Sequence, residues 1–385
     1  MLRFLFKLSF FLPIAGGMAW VNWHVDPARV FGRHALDPAW YEYERFLGNS
    51  LIEGQSQPLV ATHNELILDE LMFRSFDRLD VLVLGSSSAK PIQKELYGGE
   101  RFFNAAVFGA RLEEMMALDE LAREMGLHPK RIVLAIEPVK LQSRTAPLMP
   151  GFVPLVRNAR ARLHLGDDSE TQDRWAPLLG LLAHVIGEDE SSDVRSLFSQ
   201  YDTLFSPSYC QYCLRLVIQS FGQRGTATQF VEQFPLPNQH LLHPDGSLQW
   251  CEVFLGQTPD DIRRSTGKLP TEQIVADSVR PAAERKHLFE AFVGDLLHSG
   301  AVVEFFLPPP NPWLFDEAQR ELQQAGKSSP TAETEQYLRS FAGQHGIRVR
   351  GSYDPRQAGV TEEDFVDLVH LRREAIERIW DREQK

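Results

Sequence analysis

Apolar residues along this chain gather into short continuous runs separated by longer stretches of helical periodicity. The first run, Val81-Leu82-Val83-Leu84, is bounded by Asp80 and Gly85 and reads as a strand buried on both faces. Comparable runs follow at Phe102-Phe103 leading to Asn104, at 132–136 after Lys130 and Arg131, at 302–307 ahead of Pro308, and at 347–349. Helical patterns at 112–125, 282–298 and 331–345 separate them, and another at 65–76 precedes them. Strands alternating with helices of this length predict an α/β fold: a five-stranded parallel sheet, doubly wound in the flavodoxin-like manner.

That alternation divides the chain. Residues 25–78 form a mixed lead-in, 79–140 and 282–385 carry the sheet, and 141–281 interrupt it as an insertion or cap. The insertion is polar and mixed, with an acidic loop at Glu188-Asp189-Glu190 and apolar patches at 177–186 and 213–221.

Ahead of the lead-in, residues 1–24 have a different character. Arg3 and Lys7 precede an uncharged run at 8–23, and His24 and Asp26 follow it. The run is shorter than the roughly 20 residues that span a bilayer comfortably, but Phe4, Leu5 and Phe6 extend it if Lys7 snorkels to the interface. Positive charge before the run directs the following chain out of the cytoplasm. A cleaved signal peptide would use small residues such as Gly17-Met18-Ala19. An uncleaved anchor would keep Trp20 and Trp23 as interfacial aromatics. The absence of a polar segment before Trp20 favours the anchor, and either reading predicts a periplasmic or extracellular main body.

Composition narrows the function classes. The hydrophobic share of 43% and charged share of 24% are those of an ordered globular chain. A net charge of -12 with no basic stripe leaves nucleic-acid binding without an electrostatic footing. Cys210, Cys213 and Cys251 permit one disulfide in an exported protein. Cys210-x-x-Cys213 lacks a second pair for a thiolate zinc site, and His240 and His243 read more simply as loop residues. No motif indicates a metal or an organic cofactor. Tyr209, Tyr212, Trp250 and Phe254 could stack on sugars or form the insertion's own small core.

In an open parallel sheet ligands bind at the carboxyl ends of the strands, so the residues just after each strand carry the candidate chemistry. After the first comes Gly85-Ser86-Ser87-Ser88-Ala89, a tight small-residue turn that leaves a hydroxyl accessible. After the second comes Asn104-Ala105-Ala106-Val107-Phe108-Gly109, whose glycine can bring a backbone N–H near a reacting carbonyl. Near the end, Asp364-Phe-Val-Asp367-Leu-Val-His370 precedes a terminal helix at 371–380. An Asp and a His three apart can bond directly, the carboxylate holding the imidazole in the tautomer that takes a proton from serine. Asp295 and His298 have the same spacing, but they end the helix entering the 302–307 strand, at the amino edge of the sheet.

Together these features resemble the SGNH (GDSL-like) hydrolase superfamily. The resemblance covers roughly 79–140 and 285–380. It implies Ser87 as nucleophile, Gly109 as an oxyanion-hole glycine, and Asp367 and His370 as the acid–base pair. Within the superfamily, the N-terminal anchor, Gly-Ser-Ser, and the turn Pro308-Pro309-Pro310 are most similar to exported members serving alginate O-acetylation and lipoteichoic-acid D-alanylation. Those members work with membrane-bound O-acyltransferases, so the resemblance implies an acylated carbohydrate or other ester as substrate and such an acyltransferase as partner. One departure stands out. The family places an oxyanion Asn after the third strand, where this chain has Glu137. An ionised carboxylate cannot donate, so Ser86 and the backbone N–H groups of Ser87 and Gly109 are expected to hold the oxyanion. The departure leaves hydrolysis, acyl transfer and a non-catalytic accessory role open.

Overall fold

A computed structural model describes residues 16–22, 46–59, 65–141, 148, 152–165, 239–265, 281–326 and 329–382. Two compact units make up the chain, one from Met1–Tyr43 and Met149–Gln233, the other from Glu44–Leu148 and Phe234–Lys385. In the first, residues 16–22 are helical, and a second helix runs Val153–Arg162. No helix among the described residues is long and apolar enough to cross a membrane. Most of the N-terminal apolar run lies outside them, as do Cys210 and Cys213.

The second unit holds the sheets. In chain order its strands are β1 (Gln57–Pro58), β2 (Val81–Leu84), β3 (Phe102–Asn104), β4 (Arg131–Ala135), β5 (Leu241–Leu242), β6 (Leu248–Gln249), β7 (Val302–Leu307) and β8 (Arg348–Gly351). Five of them form one sheet in the order β3-β2-β4-β7-β8, with every pairing parallel. This is the flavodoxin-like order, and it reverses direction between β2 and β4.

Both faces of the sheet are covered, which is why β2 reads as an unbroken apolar run and β4 and β7 as largely apolar ones. On one face Val81, Val83, Val133, Ala135 and Phe306 pack with Ala375, Ile376, Ile379 and Trp380 of the last helix, Arg373–Arg382. On the other, Phe305 meets Phe289 of helix Ala283–His298 and Phe341 of helix Pro330–His345, with ring centroids 5.5 and 6.4 Å apart. Alternating side chains of each strand thus enter different cores.

One charged cluster interrupts the first of these faces. Glu304 of β7 is buried and accepts from Arg131 of β4, and from Arg350 Nε of β8 at 2.8 Å. The Arg350 guanidinium also covers the Trp380 ring at 5.1 Å and donates to the Trp380 carbonyl at 3.2 Å. The two guanidinium groups compensate a carboxylate that burial would otherwise penalise heavily.

Part of the expected insertion is joined directly to this core. Residues 241–249 form the β5–β6 hairpin, and β5 pairs antiparallel with β1 of the lead-in. The hairpin turn reaches the carboxyl edge of the main sheet. Asp245 O accepts from Asn104 N at 2.8 Å, Asp245 Oδ2 from Lys94 N at 3.1 Å, and Leu248 N donates to Lys90 O at 2.8 Å. A second departure from the sequence pattern is helix Pro312–Gln324, capped by Asn311 Oδ1 accepting from Trp313 N.

Candidate active site

The loop after β2 is built around a close approach. At Gly85 an added Cβ would lie 2.7 Å from Ala135 Cβ and 2.9 Å from Ala89 Cβ, so no larger residue fits without displacement. From here the chain enters a single 3-10 turn, Ser87–Ala89. Ser86 and Ser88 are buried, whereas Ser87 is partly exposed. Asn104 pins the far side of this loop. Its Nδ2 donates to Ala89 O at 2.8 Å and Ile92 O at 2.9 Å, and its Oδ1 accepts from Ala106 N at 3.0 Å.

Asp367 and His370 sit at the tip of a short closed loop. An antiparallel bridge joins Phe365 to Leu371, Val366 N donates to His370 O at 3.0 Å, and Arg372 N donates to Asp364 O at 2.8 Å. Asn311 N ties the loop to the segment after β7 by donating to Leu368 O at 3.0 Å. The terminal helix accordingly begins at Arg373, two residues later than the periodicity predicts.

The three expected residues meet. Asp367 Oδ1 accepts from Val369 N at 2.8 Å and His370 N at 2.7 Å, while Asp367 Oδ2 lies 2.6 Å from His370 Nδ1. On the other side of the ring, His370 Nε2 is 2.8 Å from Ser87 Oγ. A carboxylate only accepts, so Nδ1 carries the imidazole proton and Nε2 accepts from the Ser87 hydroxyl. Burial pushes the Asp367 carboxyl up, but the His370 ring and the two amides more than offset it and hold its pKa below the ordinary 3.8. The carboxylate therefore stays charged beside the ring.

The remaining expectations divide. Gly109 occupies an exposed turn at φ +68°, a left-handed conformation that favours glycine. Val107 N, two residues earlier, donates to Gly85 O at 3.1 Å, which draws this turn alongside the serine loop. Neither the Ser87 nor the Gly109 amide has an acceptor among the described residues. Ser86 does not fit its expected role as an oxyanion donor. Its one hydroxyl proton is directed at Glu137 Oε1, as is that of Ser88. Asp295 and His298 stay apart from the site: Asp295 accepts from Arg123 at 3.0 Å, and His298 Nδ1 bonds Gly294 O at 2.6 Å within its own helix.

Two residues from the interrupting segment complete the wall, and neither was singled out for this place by the sequence. Trp250 is buried with its ring centroid 4.8 Å from that of His370, and its Nε1–H donates to Leu371 O at 3.0 Å. That burial assigns Trp250 to packing rather than to sugar stacking. His240 stands edge-on to Trp250 and Phe254, each at 5.0 Å, with Nδ1 accepting from Cys251 N at 3.1 Å. Burial, and after it the neighbouring His370, lower the His240 pKa from the ordinary 6.5, so this second imidazole is neutral near pH 7.

The Asp-Gly turn at 245–246, flanked by Leu241-Leu242 and Leu248, is the local signal that could have located this hairpin. His243 Nδ1 is occupied by Ser56 Oγ at 2.8 Å, and Cys251 is a buried free thiol. Among the described residues, no group of three His, Cys, Asp or Glu side chains is placed to hold a metal ion. No protein-family model matches the chain, and no curated protein matches it.

Proposed function

We propose that the protein is an exported serine esterase or O-acyltransferase, working through an acyl-Ser87 intermediate on an acylated cell-surface or extracellular glycan. The observation that carries this reading is the continuous hydrogen-bonded chain from Asp367 through His370 to Ser87. Ser87 Oγ forms a bond to the acyl carbonyl carbon as its proton passes to His370 Nε2. The ester C–O bond then breaks, and the leaving alkoxide takes that proton. A second hydroxyl, from water or a sugar, gives its proton to Nε2, attacks the acyl carbon and frees Ser87. Asp367 keeps the ring in its accepting tautomer and stabilises the imidazolium formed at each step.

The site's location supports the same reading. Ser87 follows β2 and Glu137 follows β4, the two strands between which the strand order reverses, and open α/β sheets bind ligands at that point. Export and anchoring rest on the uncharged run at 8–23 preceded by Arg3 and Lys7. The glycan substrate rests on the SGNH resemblance. Glu137 in place of an oxyanion Asn favours a second reading, an accessory protein that keeps the fold to bind a membrane O-acyltransferase or its polymer.

Turnover of an activated acetyl ester by the full chain separates the two readings. The enzyme reading predicts acid release that Ser87→Ala abolishes, and transfer to an added sugar wherever acetylated sugar accumulates in its place. Equal rates for the wild type and Ser87→Ala would leave the accessory reading standing.

A further inference from the structure

We infer that Glu137 and Lys140 form a positioning pair that locks the serine loop to the Gly109 turn and keeps the neighbouring carboxylate neutralised. The inference rests on the reading of Ser87 as nucleophile. Glu137 Oε1 accepts from the hydroxyls of Ser86 and Ser88, the residues on either side of Ser87. One carboxylate oxygen has two lone pairs, so both straps are satisfied by a single atom. Ser87 is left as the one hydroxyl of the three that faces His370.

The other oxygen, Oε2, is buried without a hydrogen bond and lies 3.4 Å from Lys140 Nζ. Lys140 is itself buried, and its ammonium donates to the carbonyl of Ala110, the residue after Gly109. A single ion pair therefore joins the nucleophile loop to the turn that carries the second free amide. The backbone is tied down on both sides of the pair. Tyr353 OH donates to Ile136 O just ahead of Glu137. Arg285, in a bidentate pair with buried Glu113, donates to Lys140 O at 3.1 Å.

Charge explains why the lysine is needed. A bare carboxylate beside a forming oxyanion would oppose the charge that the Ser87 and Gly109 amides must stabilise. Lys140 cancels that opposition while holding Ala110. Neither residue touches the reacting atoms, so the pair acts through the placement of others.

A double-mutant cycle tests this, with melting temperature as the folding check and Ser87→Ala alongside. Lys140→Met unpairs the carboxylate and frees Ala110. Glu137→Gln retains an acceptor for the serines but turns a donor towards the ammonium. Each is expected to lower kcat for an activated acetyl ester on the order of 10²-fold with KM nearly unchanged, as misplacement of reacting groups does. Because the two act as one unit, the double variant should lose no more than the worse single one. If Glu137→Gln melts early, Ser88→Ala, which removes one strap, takes its place and should lower kcat by about tenfold. Wild-type kcat in folded Lys140→Met and Glu137→Gln, with Ser87→Ala inactive, overturns the pair. Equal turnover in the wild type and Ser87→Ala removes the nucleophile, and the pair's role with it.

Discussion

Ser87 Oγ and His370 Nε2 stand 2.8 Å apart although 283 positions separate them in the chain. The contact is made by two loops that are each held by bonds of their own. The serine loop is held by Asn104 and by the glycine that lets β2 and β4 close together, and the histidine loop by the Phe365–Leu371 bridge and the Asp367 carboxylate. Preorganisation of this kind is what a proton transfer from serine requires.

Asp367→Asn should leave the fold intact and lower ester turnover by about 10³–10⁴-fold, because an amide can present its N–H to the ring and reverse the tautomer. Steady-state kinetics on an activated acetyl ester check this. A loss smaller than tenfold would mean that the ring keeps its orientation without the charge.

The same residue gives a pH prediction. The folded-state pKa of Asp367 lies below its ordinary 3.8, so the ionised carboxylate favours the folded chain. That contribution is complete above the ordinary value and disappears as pH falls through the lower folded value. Melting temperature plotted against pH should therefore fall less steeply in Asp367→Asn than in the wild type across that acid window. Parallel curves would contradict the assignment.

Gly85→Ala should cost about 1–3 kcal/mol, as overpacking a filled core does. The new Cβ meets Ala135 Cβ and Ala89 Cβ, so the strain falls on the loop that presents Ser87. Denaturant unfolding measures the cost, and Gly85→Ala combined with Ala135→Gly should recover part of it. No recovery would show that the close approach is not what excludes a side chain here.

Glu304→Ala should destabilise the chain by about 3–5 kcal/mol, because it leaves the buried Arg350 guanidinium without its carboxylate. Glu304 lies in the first half of β7 whereas Ser87 follows the carboxyl end of β2, so ester turnover per folded molecule should be preserved. A neutral effect in denaturant titration would mean that the Trp380 carbonyl and ring suffice for Arg350.

Much of this arrangement was legible in the residues. Val81-Leu82-Val83-Leu84 is apolar throughout, and Val302–Leu307 at every position but Glu304, because helices cover both faces of their sheet, and that pattern survives in one dimension. Asp367 and His370 were readable because their spacing closes one local loop, and their placement after the last strand separates them from Asp295 and His298.

Other features depend on partners far away in the sequence. Arg131, Glu304 and Arg350 read as isolated charges until the β4-β7-β8 register places them together. Glu137 reads as a missing donor until Ser86 and Ser88 are seen to converge on it. The β5–β6 hairpin had a local Asp-Gly signal, but its two-residue strands are too short to show any alternation. Helix Pro312–Gln324 had one too, Asn311 followed by Pro312 at the first helical position.

The most direct measurement is the site of covalent labelling. The full chain, treated with a fluorophosphonate serine probe and mapped by peptide mass spectrometry, should carry one adduct on Ser87. His370→Ala should label far more slowly, because nothing then takes the hydroxyl proton. An unlabelled wild type, or an adduct confined to another serine such as Ser86 or Ser88, would contradict the account.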